Sequence, residues 1–428
     1  MPTERKEKIL PLSTFKICWD WSIIGPSKKE KRRRILQVKQ TFITGGNIVD
    51  VEAGTVLTGS SILVEDGLIK EVGALQVPEG AEVIDLKGAT VLPGLFNCHT
   101  HMNLAPVANP TYTETDAQVT MFSLEQLKMH IQSGVTFIRD VGGIHYIDVD
   151  IRDEAKAGKI LAPDMQVSGK CICMTGGHGW SMGREADGPD DCRKAAREQL
   201  KAGADWVKVM ATGGVMTKGV EPGSPQLGED ELRAAIEEAH KVGAKTCTHA
   251  QGMTGIKNAL RAGVDSIEHG FFMDDWCFDY MKEHGVYYVP TLAAVHWIVV
   301  KGTEAGIPDY VVRKAENAVE AHLDTFRRAH EAGVKIALGT DAGTPFNSHA
   351  MTAYEMVLMV KAGMTPMEAI RTGTINAAEL CSVEDSLGSI APGKKAHLAV
   401  FAENPVENIE AALNCVMTIK NGEVVYRA

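Results

Sequence analysis

Apolar and polar positions follow two rhythms along this chain, a short one at both ends and a longer one between them. From Val38 the residues fall into brief β-rich runs at 41–44, 47–50, 61–65 and 68–72, with a weaker run at 82–85 that carries a charge at each end. Glu65-Asp66-Gly67, between two of these runs, is a hairpin signal. The far end matches, with runs at 397–401, 415–419 and 424–426, the last two joined across Asn421-Gly422. Neither set can bury its own apolar face alone, so the two are predicted to pack together as a small composite β-sandwich domain built from both chain ends.

Between them, apolar runs of strand length recur at 91–98, 135–139, 165–168, 206–211, 244–248, 264–268, 286–291 and 334–340. Most precede a segment with helical spacing. In 229–242, for example, Leu232, Ala235, Ile236 and Ala239 form one stripe, and 308–332 is rich in alanine and in charges four apart. Eight such β/α units predict an α/β fold, a closed parallel (β/α)8 TIM barrel, with its chemistry at the carboxyl ends of the strands. The expected organisation is a basic, flexible extension over 1–37, the β domain over 38–92 and 385–428, and the catalytic barrel over 93–384.

Composition and charge set the surroundings. The 428 residues are 44% hydrophobic and 23% charged, as in globular proteins that bury a large core. The net charge of −11 argues against nucleic acid, whose phosphates select for surplus positive charge. Residues 1–34 depart from this with ten basic and four acidic side chains, ending in Lys31-Arg32-Arg33-Arg34. Nine cysteines without a C-x-x-C pair fit free thiols in a reducing cytoplasm. The apolar stretch 15–24 is interrupted by Lys16 and Asp20, and no run of about 18 apolar residues exists, so no membrane span is expected. The expected partners are a small-molecule or dipeptide substrate and, in a homo-oligomer, further copies of the chain.

The candidate chemistry lies at the ends of the central runs. His99 and His101, two apart, can present two imidazoles to one ion. Lys208 sits within the apolar run 206–211, where an ammonium must reach solvent, find a partner or lose its charge. If its face is the barrel interior, a neutral amine there can take up CO2 and become a carbamate able to bridge two metal ions. The fifth, sixth and eighth runs end in His249, in Glu268-His269-Gly270 and in Thr340-Asp341. Each alone has an ordinary structural explanation; together they are too specific a set for it.

This constellation resembles the amidohydrolase superfamily from about Val38 onward. The matching stretches are Leu92 to His101, Val207 to Met216, Ser266 to Gly270, Gly339 to Asp341 and Leu387 to Lys394. Within it, Lys208-Val209-Met210-Ala211-Thr212-Gly213-Gly214 and Gly176-Gly177-His178-Gly179 are most similar to the imidazolonepropionase-related group. That group includes Xaa-Pro dipeptidase-like and Xaa-Arg/Lys carboxypeptidase-like enzymes and an ochratoxin-hydrolysing amidase. The resemblance implies two divalent ions, zinc by expectation, with a carboxylated lysine, and hydrolysis of a peptide or amide bond beside a free carboxylate. The chain departs from the pattern at Asn97, often Asp in relatives, at His397, read as a structural replacement for Asp, and at Gln251, where Tyr or His is common near the substrate.

On this reading His99, His101, carbamylated Lys208, His249, His269 and Asp341 are the metal ligands. Asp341 is also the proton carrier, and His178 is a candidate for the oxyanion or the substrate carboxylate, though a structural glycine-loop histidine is as consistent with the sequence. Gln251, Arg139, Arg184 and Lys218 are candidates for substrate binding, the arginines through their bidentate fork. Two alternatives stay open. One is a mononuclear deaminase or cyclic amide or amidine hydrolase, although its proton-shuttle glutamate would fall on Gly252. The other is a non-catalytic scaffold, although no ligand of the set is missing.

Overall fold

The computed structural model describes residues 39–109 and 114–428. The basic segment 1–37 and the stretch 15–24 therefore lie outside the described residues. No helix among the described residues is long and apolar enough to cross a membrane.

Two sheets use strands from the chain ends. In one, Leu68–Gly73, Ser61–Glu65, Gln40–Thr44 and Glu82–Asp85 lie in that order. In the other, Glu423–Arg427, Cys415–Lys420 and Leu398–Phe401 continue through Thr90–Pro93 into Asn47–Asp50 and Thr55–Leu57. Leu398 faces Pro93 and Phe401 faces Thr90 in the antiparallel pair that joins the two ends. Both sheets contribute to one buried cluster, Ile43, Ile62, Val64 and Ile84 meeting Val91, Leu398, Val400 and Ile419. Asp66 and Gly67, and again Asn421 and Gly422, all have positive φ, the geometry of a two-residue hairpin turn with right-handed twist.

The run at 91–98 is two strands. Gly94 divides them, since a Cβ there would lie 2.2 Å from Thr136 Oγ1. Its N–H donates to His397 O, whereas the N–H of Leu95 donates to Gly134 O. The chain steps here from the sheet of the chain ends into the parallel series.

That series pairs Leu95–Thr100 with Val135–Asp140 and then with Asp164–Val167. Asp205 N–H donates to Val167 O, leading to Trp206–Met210, Lys245–Ala250, Ser266–His269 and Tyr287–Val289, all parallel. Tyr288 then bridges to Ile336, and Cys98 N–H donates to Leu338 O, which returns the bonding to its first member. The run at 334–340 differs from expectation in forming no regular strand. At Thr340 side chains replace ladder partners: Asn97 Oδ1 accepts from Thr340 N–H and Asn347 Nδ2 donates to Thr340 O. The helical stripe of 229–242 appears as helix Glu229–Lys241, with Leu232, Ala235, Ile236 and Ala239 buried, and 308–332 as helix Asp309–Glu331.

Candidate metal centre

The ends of the parallel segments converge on a cavity of ≈ 170 Å³ whose wall includes His99, His101, Lys208, His249, His269, Asp341 and His178. Donor atoms of His99, His269 and Asp341 lie within 4.8 Å of one another. Asp341 Oδ1 is 3.2 Å from His101 Nε2 and 3.5 Å from His99 Nε2. The His178 and His249 rings are 4.1 Å apart, and His249 and His269 are 4.5 Å apart.

Each histidine of the set is held by one ring nitrogen. His99 Nδ1 pairs with Glu268 Oε2 at 2.7 Å, His101 Nδ1 with Gly142 O at 2.9 Å, and His269 Nδ1 with Thr291 Oγ1 at 2.7 Å. His249 Nε2 pairs with Gly213 O at 3.1 Å. In His99, His249 and His269 the other nitrogen is left as a lone-pair donor, the arrangement in which outer partners fix the tautomer of a metal-binding imidazole, whereas His101 Nε2 faces Asp341, which outweighs burial and raises the His101 pKa. His269, Thr291 and Asp341 all have positive φ, strain held in place around the cavity by these bonds.

The electrostatics agree. Burial, with Lys208, His101 or other histidines adding to it, holds His99, His249 and His269 well below the ordinary imidazole range, so they are neutral at pH 7. Burial pushes the Asp341 carboxyl up, but His99 and His101 outweigh it and bring it down to about 2. Lys208 is 1% exposed and, among the described residues, forms no hydrogen bond or ion pair. Neutral imidazoles at His99, His249 and His269 beside an ionised Asp341 are a donor set suited to a divalent metal ion. The residues present fit such an ion, with His99, His269 and Asp341 grouped closely enough to hold it.

His178 stands on the loop between the two-residue strands Ile172–Cys173 and Arg184–Glu185, which the sequence pattern did not reveal. Its Nδ1 lies 2.8 Å from Thr217 Oγ1, and burial brings its pKa down to about 4. Gly214 gives the ring its place, since a Cβ there would lie 2.4 Å from His178 Cε1. Gln251 is buried beside the same centre, its Oε1 without a partner.

The other three candidates lie elsewhere. Arg139 is fully enclosed, its guanidinium donating to Cys98 O, Ser266 Oγ and both oxygens of Glu268. Arg184 is committed to Asp191, Glu198 and Glu185 O. Lys218 is exposed outside the cavity wall. Sequence reasoning missed Glu268, which links His99 to Arg139; a carboxylate in one apolar strand run and a guanidinium in another were the available signal. Asn97 uses both ends of its amide, Nδ2 donating to Thr340 and Thr352 hydroxyls while Oδ1 accepts from backbone. His397 is buried in the end-strand sheet, bonded to Asn421 Oδ1. At Gly252 a Cβ would lie 2.3 Å from Gly223 O, leaving no room for a shuttle glutamate.

Residues 90–425 match the sequence profile of the amidohydrolase family. The ochratoxinase of Aspergillus niger is 29% identical over 411 residues, covering 87% of this chain and 83% of the relative. Among solved structures, a Xaa-Pro dipeptidase with bound methionine superposes with a TM-score of 0.86 at 34% identity, covering 91% of this chain and 100% of the other. A prolidase complexed with N-methylphosphonate-L-proline gives 0.85 at 30% identity with the same coverage. With a profile match across most of its length and a relative of this similarity, the chain belongs to the amidohydrolase family.

Proposed function

We propose that the chain hydrolyses a small amide or peptide C–N bond, using two zinc ions held by His99, His101, Lys208 as its carbamate, His249, His269 and Asp341 at the end of a (β/α)8 barrel. The observation that carries this reading is Lys208, buried and unpartnered in a wall it shares with five histidines and an aspartate. An isolated buried ammonium is costly. Uptake of CO2 converts it into an anion with two oxygens, which suits a pair of cations. The similar proteins named as a dipeptidase and a prolidase support a bond next to an amino acid.

When bound, the ions would supply an acidic water and polarise the carbonyl. Asp341, ionised at neutral pH, accepts the proton of the attacking water and delivers it to the leaving nitrogen as the C–N bond breaks. With Thr217 Oγ1–H donating to His178 Nδ1, Nε2 carries the proton and can donate to the developing oxyanion. Arg139 and Arg184 are engaged elsewhere and Lys218 lies outside the cavity wall, so the proposal extends to amides in general.

The test is a kinetic screen of dipeptides, N-acyl amino acids and their C-terminal amides with zinc and bicarbonate present. Turnover that chelation abolishes, and that Lys208→Ala lowers at least about a hundredfold, is expected. A zinc-loaded protein inert across the panel would overturn the reading.

A further inference from the structure

A second, narrower recess meets the first at the metal-centre residues, the two sharing His178, Met216, His249, His269, Asp341 and Thr344. Their linings differ. The larger cavity also has Ser181, Asn109 and Thr217 in its wall, whereas the smaller is closed by Val215, Phe271, Ala294, Val295 and Ile298. In the smaller one, outside the shared centre, the sole polar side chain among the described residues is Gln251. Gln251 is 4% exposed, and neither end of its amide has a hydrogen-bond partner among the described residues; Oε1 is wholly buried. Its main chain is fixed, with N–H donating to Thr212 Oγ1 and O accepting from Phe272 N–H.

Apart from Lys208, no lysine or arginine among the described residues lines either chamber. A carboxylate placed against Val215, Phe271 and Ile298 would lose its hydration without gaining a lysine or arginine as counter-charge. An unpartnered primary amide has the opposite preference, because it offers both a donor and an acceptor. It is matched by another amide, which presents a C=O and an N–H together. Leaving such a group unpaired is costly, and a ligand that pairs it gains discrimination over one that does not.

We propose that Gln251 is a specificity-determining residue that makes the smaller chamber a site for an uncharged amide, so that one side of the scissile bond carries a compact apolar side chain and a carboxamide or further peptide unit in place of a free carboxylate. The inference rests on the proposed amide hydrolysis for its biological meaning. Its binding test is independent of it.

Zinc-loaded protein, with turnover followed in parallel, is titrated calorimetrically with N-acetyl-L-leucinamide and with N-acetyl-L-leucine. The amide is expected to bind at least about tenfold tighter. Gln251→Met, close in volume and without the amide, should remove that preference, and Gln251→Arg should turn it toward the carboxylate. Equal affinities, including no binding of either compound at millimolar concentration, a preference for the carboxylate, or an unchanged ratio in Gln251→Met would each overturn the inference. Turnover in the presence of bicarbonate distinguishes the two readings. Preferential binding of an amide that is never hydrolysed sinks the proposed reaction and leaves the chamber's preference standing; faster hydrolysis of the carboxylate does the reverse.

Discussion

Arg139 and Lys208 occupy the same kind of setting, a cation within an apolar strand, and differ in their partners. The guanidinium of Arg139 is saturated by Glu268, Ser266 and Cys98, and lies 4.6 Å from the Trp206 ring, whereas the amine of Lys208 faces the cavity unpaired. Sequence pattern identifies both as unusual but cannot show which one has a counter-charge, because that depends on strands far apart in the chain. Arg139→Met leaves Glu268 as a buried, unbalanced carboxylate, and should lower the unfolding free energy by roughly 3–5 kcal/mol. Urea denaturation checks this. A substrate-binding arginine would instead lose affinity for substrate at unchanged stability.

The loop 213–220 gives an account at the level of elements. Lys314, on helix Asp309–Glu331, donates to Thr217 O at 2.8 Å and to Val220 O, fixing the turn that carries Thr217 against His178. The helix itself was legible as a stripe of alanines and spaced charges, but its use of a buried lysine to hold a distant loop was not. Lys314→Met should reduce kcat/KM about tenfold by freeing His178, with zinc content unchanged. Metal analysis beside steady-state kinetics tests this, and loss of metal in the variant would contradict it. The eighth apolar run was readable as a segment and misread as a regular strand: it pairs only through an isolated bridge at Ile336, and at Thr340 the backbone bonds are taken by the Asn97 and Asn347 side chains.

Across the whole molecule, strands from both ends meet at Leu398–Phe401 and Thr90–Pro93, and ion pairs from Asp164 to Lys395 and Lys420 attach the parallel series to the end strands. The alternation at the two termini made the strands legible; their partners followed only from the need to cover an apolar face. His397, at this junction, is 4% exposed, and burial brings its pKa down to about 4 although Asp164 and Asn421 oppose the shift. A histidine whose folded pKa is depressed contributes stability that is complete above about pH 6.5 and is lost as pH falls through 4. Replacing it by Gln should flatten that part of the pH profile by on the order of 3 kcal/mol. Urea midpoints between pH 7 and 4 provide the comparison, and parallel profiles for the two proteins would contradict the assignment.

The central claim is that Lys208 turns a cluster of histidines into a two-metal site, and metal stoichiometry tests it most directly. Protein loaded with zinc in the presence of bicarbonate should bind two ions per chain, and Lys208→Ala should lose at least one of them. One firmly bound ion per chain, indifferent to the Lys208 substitution, would contradict the account.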